Sequence, residues 1–416
     1  MKKITLLILA LLTVSLLVAC GGNAEKPSGD NPNPSASDVE ETKEEVLSNE
    51  PIIPIKVEDY YKAVLFTLPD EPFRDAIVSH MRKQAAIEWV CGADFGVYEK
   101  FNSWGIDLTF KKGVKYTGIP YADTKVSYIQ FEEALKNGKY TSESTAWKDV
   151  YGVQCVSSIM NSIQQFDPKT CGYSSDLTPG VSDFKGVIVG DYKLPEDVKQ
   201  TQQIIMANSP DVMYEAYASL KKGDIVVMQD LINDKSHLRV VAEDPVIEKN
   251  NAGKINKSRS YITCVEQTNS FDATRKDGVK TTWYLDHKYT FDSLITTYYV
   301  PVTLEIYDKH ISECEVPYIT LDNEITPAQV AKGALGSNIK SNFPIRYVHL
   351  DILDKSGVLV KRTKVYDMAK AYSVGLRKHS YAVVDGLENG DYTFVVTAGI
   401  ARDSAELARV DFTYSK

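Results

Sequence analysis

Cys155, His237 and Glu266 are the residues of this chain whose types and settings could together carry out covalent chemistry. Cys155 opens a run to Phe166 in which Val156, Ile159, Met160 and Ile163 share one face at the helical period. A thiol in the first turn of a helix lies beside unpaired backbone N–H groups and the positive end of the macrodipole, which favours the nucleophilic thiolate. His237 begins a strand-like stretch to Ala242, with His237, Arg239 and Val241 facing one way and Leu238 and Val240 the other. An imidazole there can take the thiol proton and later return it to a leaving amine, while a polar residue on the next strand holds the ring in the useful tautomer. Glu266, in the extended stretch Arg259 to Gln267, fits that third role by its order in the chain, with Gln267 and Asn269 as alternative orienters. The competing reading is structural: a core cysteine, a satisfied histidine and a surface glutamate. The other histidines, His80, His287, His310, His349 and His379, show no partner pattern and read as surface or satisfied residues.

The elements that must position these groups are legible around them. Tyr151-Gly152 precedes Cys155, and glycine permits a sharp entry into the helix. Lys222-Gly223-Asp224 marks a turn into a strand, Ile225 to Met228, ahead of His237. Phe73, Ile77, Met81, Ala85 and Trp89 recur at steps of four, which predicts an amphipathic helix from Phe73 to Val90, with Pro72 at its start and Cys91-Gly92 at its end. An extended segment over Lys115 to Tyr121, a short helix over Phe131 to Asn137 and an irregular insertion from Pro168 to about Leu194 follow from local composition. Beyond Thr296 the pattern is uniformly β: Tyr298 to Ile306, Arg346 to Ile352, Leu359 to Val365, Tyr381 to Val384, Tyr392 to Ala398 and Arg409 to Tyr414. Many short strands at such spacing predict a β-sandwich of immunoglobulin-like type.

The order of motifs resembles the papain-like cysteine hydrolases of bacterial envelopes, the NlpC and CHAP families. Gly118-Ile119-Pro120-Tyr121 is similar to the Gly-x-Pro-Tyr segment ahead of the NlpC nucleophile, and Gly152-Val153-Gln154-Cys155-Val156-Ser157 takes the place of Gly-x-Asp-Cys-Ser-Gly. Lys222-Gly223-Asp224-Ile225-Val226 resembles the Gly-Asp-Leu strand entry, Ser236-His237-Leu238 the Gly-His-Val strand, and Val265-Glu266-Gln267-Thr268-Asn269 the Glu-x-Asn ending of CHAP domains. Gln154 stands where the family has Asp, Val156-Ser157 where it has Ser-Gly, and Ala122-Asp123-Thr124 where it has Trp-Gly-Gly. The resemblance covers about residues 70 to 270 and implies an α+β, papain-like domain, a helix-borne cysteine packed on an antiparallel sheet. It further implies amide cleavage in peptidoglycan stem peptides by a Cys155–His237–Glu266 triad, with Tyr121 and Gln154 beside the oxyanion or substrate.

The N-terminus says where such a protein works. Lys2-Lys3 precede an apolar run from Ile4 to Val18, too short for a spanning helix but shaped like a signal peptide. Leu17-Val18-Ala19-Cys20 resembles the lipobox of bacterial lipoproteins, which makes Cys20 the lipid attachment site and the protein extracytoplasmic and membrane-anchored. The Gly, Pro, Ser and Glu-rich stretch that follows has almost nothing apolar to bury and reads as a disordered tether. The expected organisation is therefore signal peptide and lipobox over 1–20, tether over 21–53, the papain-like domain over 54–295 and the accessory sandwich over 296–416. A formal net charge of −9 without basic clusters argues against nucleic acid, leaving the membrane and peptidoglycan or another envelope polymer as partners. The 25 tyrosines suit a surface meeting polar, glycan-containing material. Cys91, Cys171, Cys264 and Cys314 read as core or disulfide thiols, and with no Cys-x-x-Cys or His-x-x-x-His spacing neither a metal site nor a cofactor is expected. The alternative to hydrolysis is a non-catalytic envelope-binding lipoprotein on a degenerate hydrolase scaffold; acyl transfer by the same thiol is a third reading.

Overall fold

A computed structural model describes residues 48–96, 108–122, 126–143, 150–169, 172–365 and 371–416; Cys20, Cys171 and the expected signal peptide lie outside them. The fold is mixed α+β with several antiparallel sheets. Six strands form the sheet that matters for the site: Val187–Ile188 (β1), Ile225–Asp230 (β2), Lys235–Val246 (β3), Tyr261–Gln267 (β4), Trp283–Thr290 (β5) and Val300–Thr303 (β6). They lie in the order β5-β4-β3-β2-β6-β1, every pairing antiparallel. Gly223, at a φ of 86°, supplies the left-handed turn that launches β2.

Two helices cover this sheet, Phe73–Ala86 (α1) and Cys155–Ile163 (α2); α2 packs on β3 and on α1, which also meets β3 and β4. The apolar faces account for the arrangement. Ile159 and Ile163 of α2, Val226 and Val227 of β2, Leu238, Val240 and Val241 of β3, and Ile262 and Val265 of β4 are all fully buried. At about 1.5–3 kcal/mol for each large aliphatic removed from water, burial on both faces of the sheet and along α2 holds this part of the fold together. Polar ties set its register. Arg74 at the start of α1 pairs with Asp224 Oδ1 at 2.6 Å and reaches Lys222 O at 3.1 Å, joining the helix to the turn before β2. Gln84 Nε2 donates to Ser158 O and Ser162 Oγ of α2, both at 3.0 Å.

The predicted helix over Phe73 to Val90 stops at Ala86, and Glu88–Cys91 is a strand between Lys115–Thr117 and Lys139–Tyr140. Trp89 falls on the helical period only by coincidence. Its ring stacks on Tyr116 at 4.8 Å and is boxed by Phe95, Phe110, Phe131 and Tyr140, an aromatic cluster that a helical continuation would forfeit. Tyr381 to Val384, expected as a strand, lies in the helix Ser380–Val384, which buries Val383 and Val384 and leaves Tyr381 exposed; so short an apolar run carries no decisive period.

A second core draws its buried side chains from two four-stranded antiparallel sheets. One contains Lys62–Leu65, Tyr318–Leu321, Asn338–Ser341 and Ser373–Gly375 in that order, the other Leu359–Val365, Ile345–Leu353, Gly390–Ile400 and Ser404–Tyr414. The expected division at 295 and 296 does not follow the cores. β6 completes the six-stranded sheet and the first core runs on to Cys314, whereas Lys62–Leu65 crosses over to pair with Tyr318–Leu321. Ser48–Lys416 is one compact unit.

Of the histidines expected to be surface or satisfied, His80 of α1 and His349 of Ile345–Leu353 are buried. Burial, with the charges of Lys83, Arg402 and Arg346 behind it, pushes His80 from 6.5 down to about 3, and burial aided by Arg362 lowers His349 to about 4. Both rings are neutral in the native state, while the unfolded chain protonates them below about 6.5. Stability therefore falls as pH drops from 6.5 towards 4, by up to about 1.4 kcal/mol per pH unit for each ring. Urea denaturation at pH 7 and pH 5 should show this loss, and His349→Gln should reduce it; equal midpoints at the two pH values would contradict the assignment.

Candidate active site

The nucleophile candidate is held by the segment that enters α2. Val153 N donates to Pro120 O at 3.0 Å and Ala122 N to Val153 O at 2.9 Å, so Tyr121 and Val153 pair as parallel neighbours just ahead of Cys155. Gly152 makes that approach possible, since a Cβ there would lie 2.5 Å from both Ala122 Cβ and Pro120 O. The partner loop is itself clamped: Trp89 Nε1 donates to Gly118 O, and Trp283 Nε1 and Gln267 Nε2 both donate to Ile119 O, each at 2.9 Å. Gly118, at a φ of 80°, packs so closely on Trp283 that a Cβ would come within 2.2 Å of the indole.

Cys155 is the first residue of α2, so its backbone N–H has no acceptor within the helix. Its side chain is buried, 4 % exposed, with Sγ facing Ser236 O at 3.8 Å. Ser236 precedes His237 on β3, so the Cys155 sulfur lies beside the His237 residue, and its interaction with the ring favours the charged imidazole. On its other side the ring gives Nε2 to Glu266 Oε2 in a short contact, which leaves Nδ1 as the nitrogen for sulfur. The sheet register produces this geometry: Val240 and Val265 are opposite one another on β3 and β4, so Glu266, one residue further on, shares a face with Arg239 and His237.

Glu266 is almost fully buried, and three donors converge on it. Oε2 accepts from His237 Nε2 and from Arg239 Nε at 2.9 Å, and Oε1 accepts from the Tyr289 hydroxyl in a short bond. Burial by itself would raise the carboxyl pKa, but His237, Arg239 and Tyr289 outweigh it and hold the group as a carboxylate, down to about 2. Burial likewise opposes a charge on His237, and contact with Cys155 and Glu266 outweighs it, so the ring stays protonated up to about 9. Arg239 is fixed between two aromatic faces, its guanidinium 3.7 Å from the Tyr289 ring and 4.0 Å from the Tyr299 ring. Each such stack contributes about 2 kcal/mol in a dry site. His237 meets the edge of Tyr299 as well, at 6.3 Å between ring centroids.

The structure thus brings Cys155, His237 and Glu266 together. Tyr121 is buried beside the strand leading into Cys155, and Gln154 is the residue directly ahead of the helix, its N–H donating to Ser157 Oγ at 2.8 Å. The alternative orienters are placed elsewhere: Gln267 supports the Ile119 loop and Thr282, and the Asn269 Oδ1 contact is with the Thr268 hydroxyl at 3.5 Å. Cys264 is sealed in the core, where burial pushes its thiol well up, and Cys91 and Cys314 are buried free thiols raised in the same way. Arg239, Tyr289 and Tyr299 were not among the expected site residues. Strand alternation puts Arg239 on the His237 face, so its place was readable; the two tyrosines lie on β5 and just before β6, and no local spacing marks them.

With that geometry in hand, comparison with protein-family models, curated proteins and solved structures finds no match for this chain.

Because Glu266 is buried and ionised, removing a donor strands a charge. Arg239→Ala should cost about 3–5 kcal/mol in urea denaturation at neutral pH, and Arg239→Ala combined with Glu266→Gln should cost less than the sum of the two single changes. A loss below about 1 kcal/mol for Arg239→Ala would mean that the guanidinium does not support the carboxylate.

Proposed function

We propose that this chain is a cysteine hydrolase that cleaves an amide bond, with Cys155 as nucleophile, His237 as base and then acid, and Glu266 as the group that orients and charges the imidazole. The observation that carries the reading is one histidine ring held between a thiol at a helix start and a buried carboxylate. In the first step the Cys155 sulfur adds to the scissile carbonyl carbon, and the thiol proton resides on His237. Collapse of the tetrahedral adduct breaks the C–N bond as His237 protonates the departing amine, leaving a thioester on Cys155. Water, deprotonated by His237, then attacks the thioester, releases the carboxylic acid and returns the thiol. The Cys155 backbone N–H, with no acceptor in its own helix, and the Tyr121 side chain are the donors assigned to the oxyanion.

The papain-like reading of the fold is supported by the helix-borne Cys155 packed on β3 of an antiparallel sheet, and the sandwich reading of the C-terminal part by two four-stranded sheets sharing one core. Leu17-Val18-Ala19-Cys20 supports lipid attachment at Cys20 and an extracytoplasmic, membrane-anchored location, with the acidic, Pro- and Ser-rich stretch after it as tether. That location, and the resemblance of the Gly118–Tyr121 and Gly152–Ser157 segments to NlpC hydrolases, favour peptidoglycan stem peptides as substrate. Acyl transfer would use the same thioester with an amine in place of water.

Purified peptidoglycan incubated with the protein should release peptides detectable by mass spectrometry, and Cys155→Ala should abolish release, since loss of a triad nucleophile costs on the order of 10⁶ in turnover. Iodoacetamide at neutral pH should label Cys155 ahead of Cys91, Cys264 and Cys314. Equal release by wild type and Cys155→Ala would discard the hydrolase, and retained sedimentation of both with peptidoglycan would then support the envelope-binding reading.

A further inference from the structure

A cavity of about 180 Å³ lies beside α1, and its walls include His80, Lys83, Tyr128, Gln165, Arg402 and Glu71. The polar groups around it are unevenly matched. His80 is 7 % exposed, and its Nδ1 meets Ser162 Oγ at 2.9 Å and Gln84 Nε2 at 3.2 Å, while Nε2 has no partner. With Ser162 Oγ donating to Nδ1, the ring proton lies on Nε2 as a donor without an acceptor, and this is the tautomer that an anion in the cavity would select. Three cations stand close to this ring, Lys83, Arg402 and Arg346. Among the described residues no carboxylate pairs with any of them.

Lys83 donates to the Tyr128 hydroxyl at 2.8 Å, and Arg402 donates to the carbonyls of Thr67 at 2.8 Å and Leu68 at 3.3 Å. Arg346 is the more telling of the three. It is 6 % exposed, at a register slip between Ile345 and Tyr347, and among the described residues its guanidinium bonds only to Asn161 Oδ1, leaving Nε unpartnered. Gln165 links that buried charge to the cavity wall, donating to Asn161 O at 3.1 Å and to Ala401 O at 2.7 Å. The one acid in the wall, Glu71, accepts from Ser79 Oγ at 2.9 Å. Lys83 and Arg402 against Glu71 in the wall, with the charge of Arg346 acting on His80 from behind it, is a local positive excess in a chain of net charge −9 that a bound anion would balance.

We infer that this cavity is a binding site for a small oxyanion, a phosphate or carboxylate group, held between Lys83, Arg402 and the Nε2–H of His80 and stabilised by the field of Arg346. The site is independent of the Cys155 chemistry. The test is isothermal titration calorimetry of the full chain with inorganic phosphate and, separately, acetate, against a chloride background of constant ionic strength. Saturable binding of either anion is expected, weakened at least tenfold by Lys83→Gln and tightened by Glu71→Gln, with Cys155→Ala binding as wild type does. Lys83 is exposed enough for its variant to fold, whereas Arg402→Gln also loses the anchors to Thr67 and Leu68 and serves as a second variant only. No saturable heat with either anion, an unchanged affinity in Lys83→Gln, or loss of binding in Cys155→Ala would overturn the inference.

Discussion

A buried carboxylate with three donors is the constraint on which the rest of this site depends. Glu266 sits in the core face of the six-stranded sheet, where an isolated charge would cost several kcal/mol, and it is kept ionised because His237, Arg239 and Tyr289 all donate to it. The charge on Glu266 in turn favours the charged imidazole, and the imidazole faces the Cys155 sulfur. Arg239 could compete with His237 for the same Oε2 atom. Its confinement between Tyr289 and Tyr299 fixes the approach of Nε, so both donors fit on one oxygen.

The scaffold makes these contacts reproducible through backbone proximity. Gly152 and Gly118 allow two loops to approach closer than any side chain would permit, and two tryptophans and Gln267 bind the carbonyls of the Gly118-Ile119 loop. The helix that begins at Cys155 is seated on β3 by buried aliphatic side chains and tied to α1 by Gln84. Asp224 and Arg74 join that second helix to the start of β2. Cys155 and His237 come from elements far apart in the chain, and their meeting is a consequence of helix-on-sheet packing.

Much of this was legible in the sequence because local signals and tertiary packing agree around the site. The period of Val156, Ile159, Met160 and Ile163 marked the helix, the Lys222-Gly223-Asp224 turn marked the strand entry, and alternation placed Arg239 on the face of His237. Legibility failed where tertiary contact overrides a local pattern. Trp89 continues the spacing of α1 yet belongs to an aromatic box built from five other segments, and Tyr381 to Val384 is too short for its apolar residues to distinguish strand from helix. The tyrosines that clamp Arg239 could not be found, because their contact depends on how β5 and β6 flank the central strands and leaves no spacing behind. The burial of His80 was missed for a similar reason: its ring lies on the face of α1 that meets α2, and the partner Ser162 is distant in sequence.

The central claim, that Glu266 and Cys155 together hold His237 as an imidazolium, is tested most directly by histidine-ring NMR across pH, with His237→Gln to assign the resonance. The His237 signal should titrate near 9 in the wild type and at a clearly lower pH in Glu266→Gln, where the Cys155 interaction alone opposes burial. A wild-type ring that titrates at 6.5, or one whose titration is the same with and without the Glu266 carboxylate, would contradict the account.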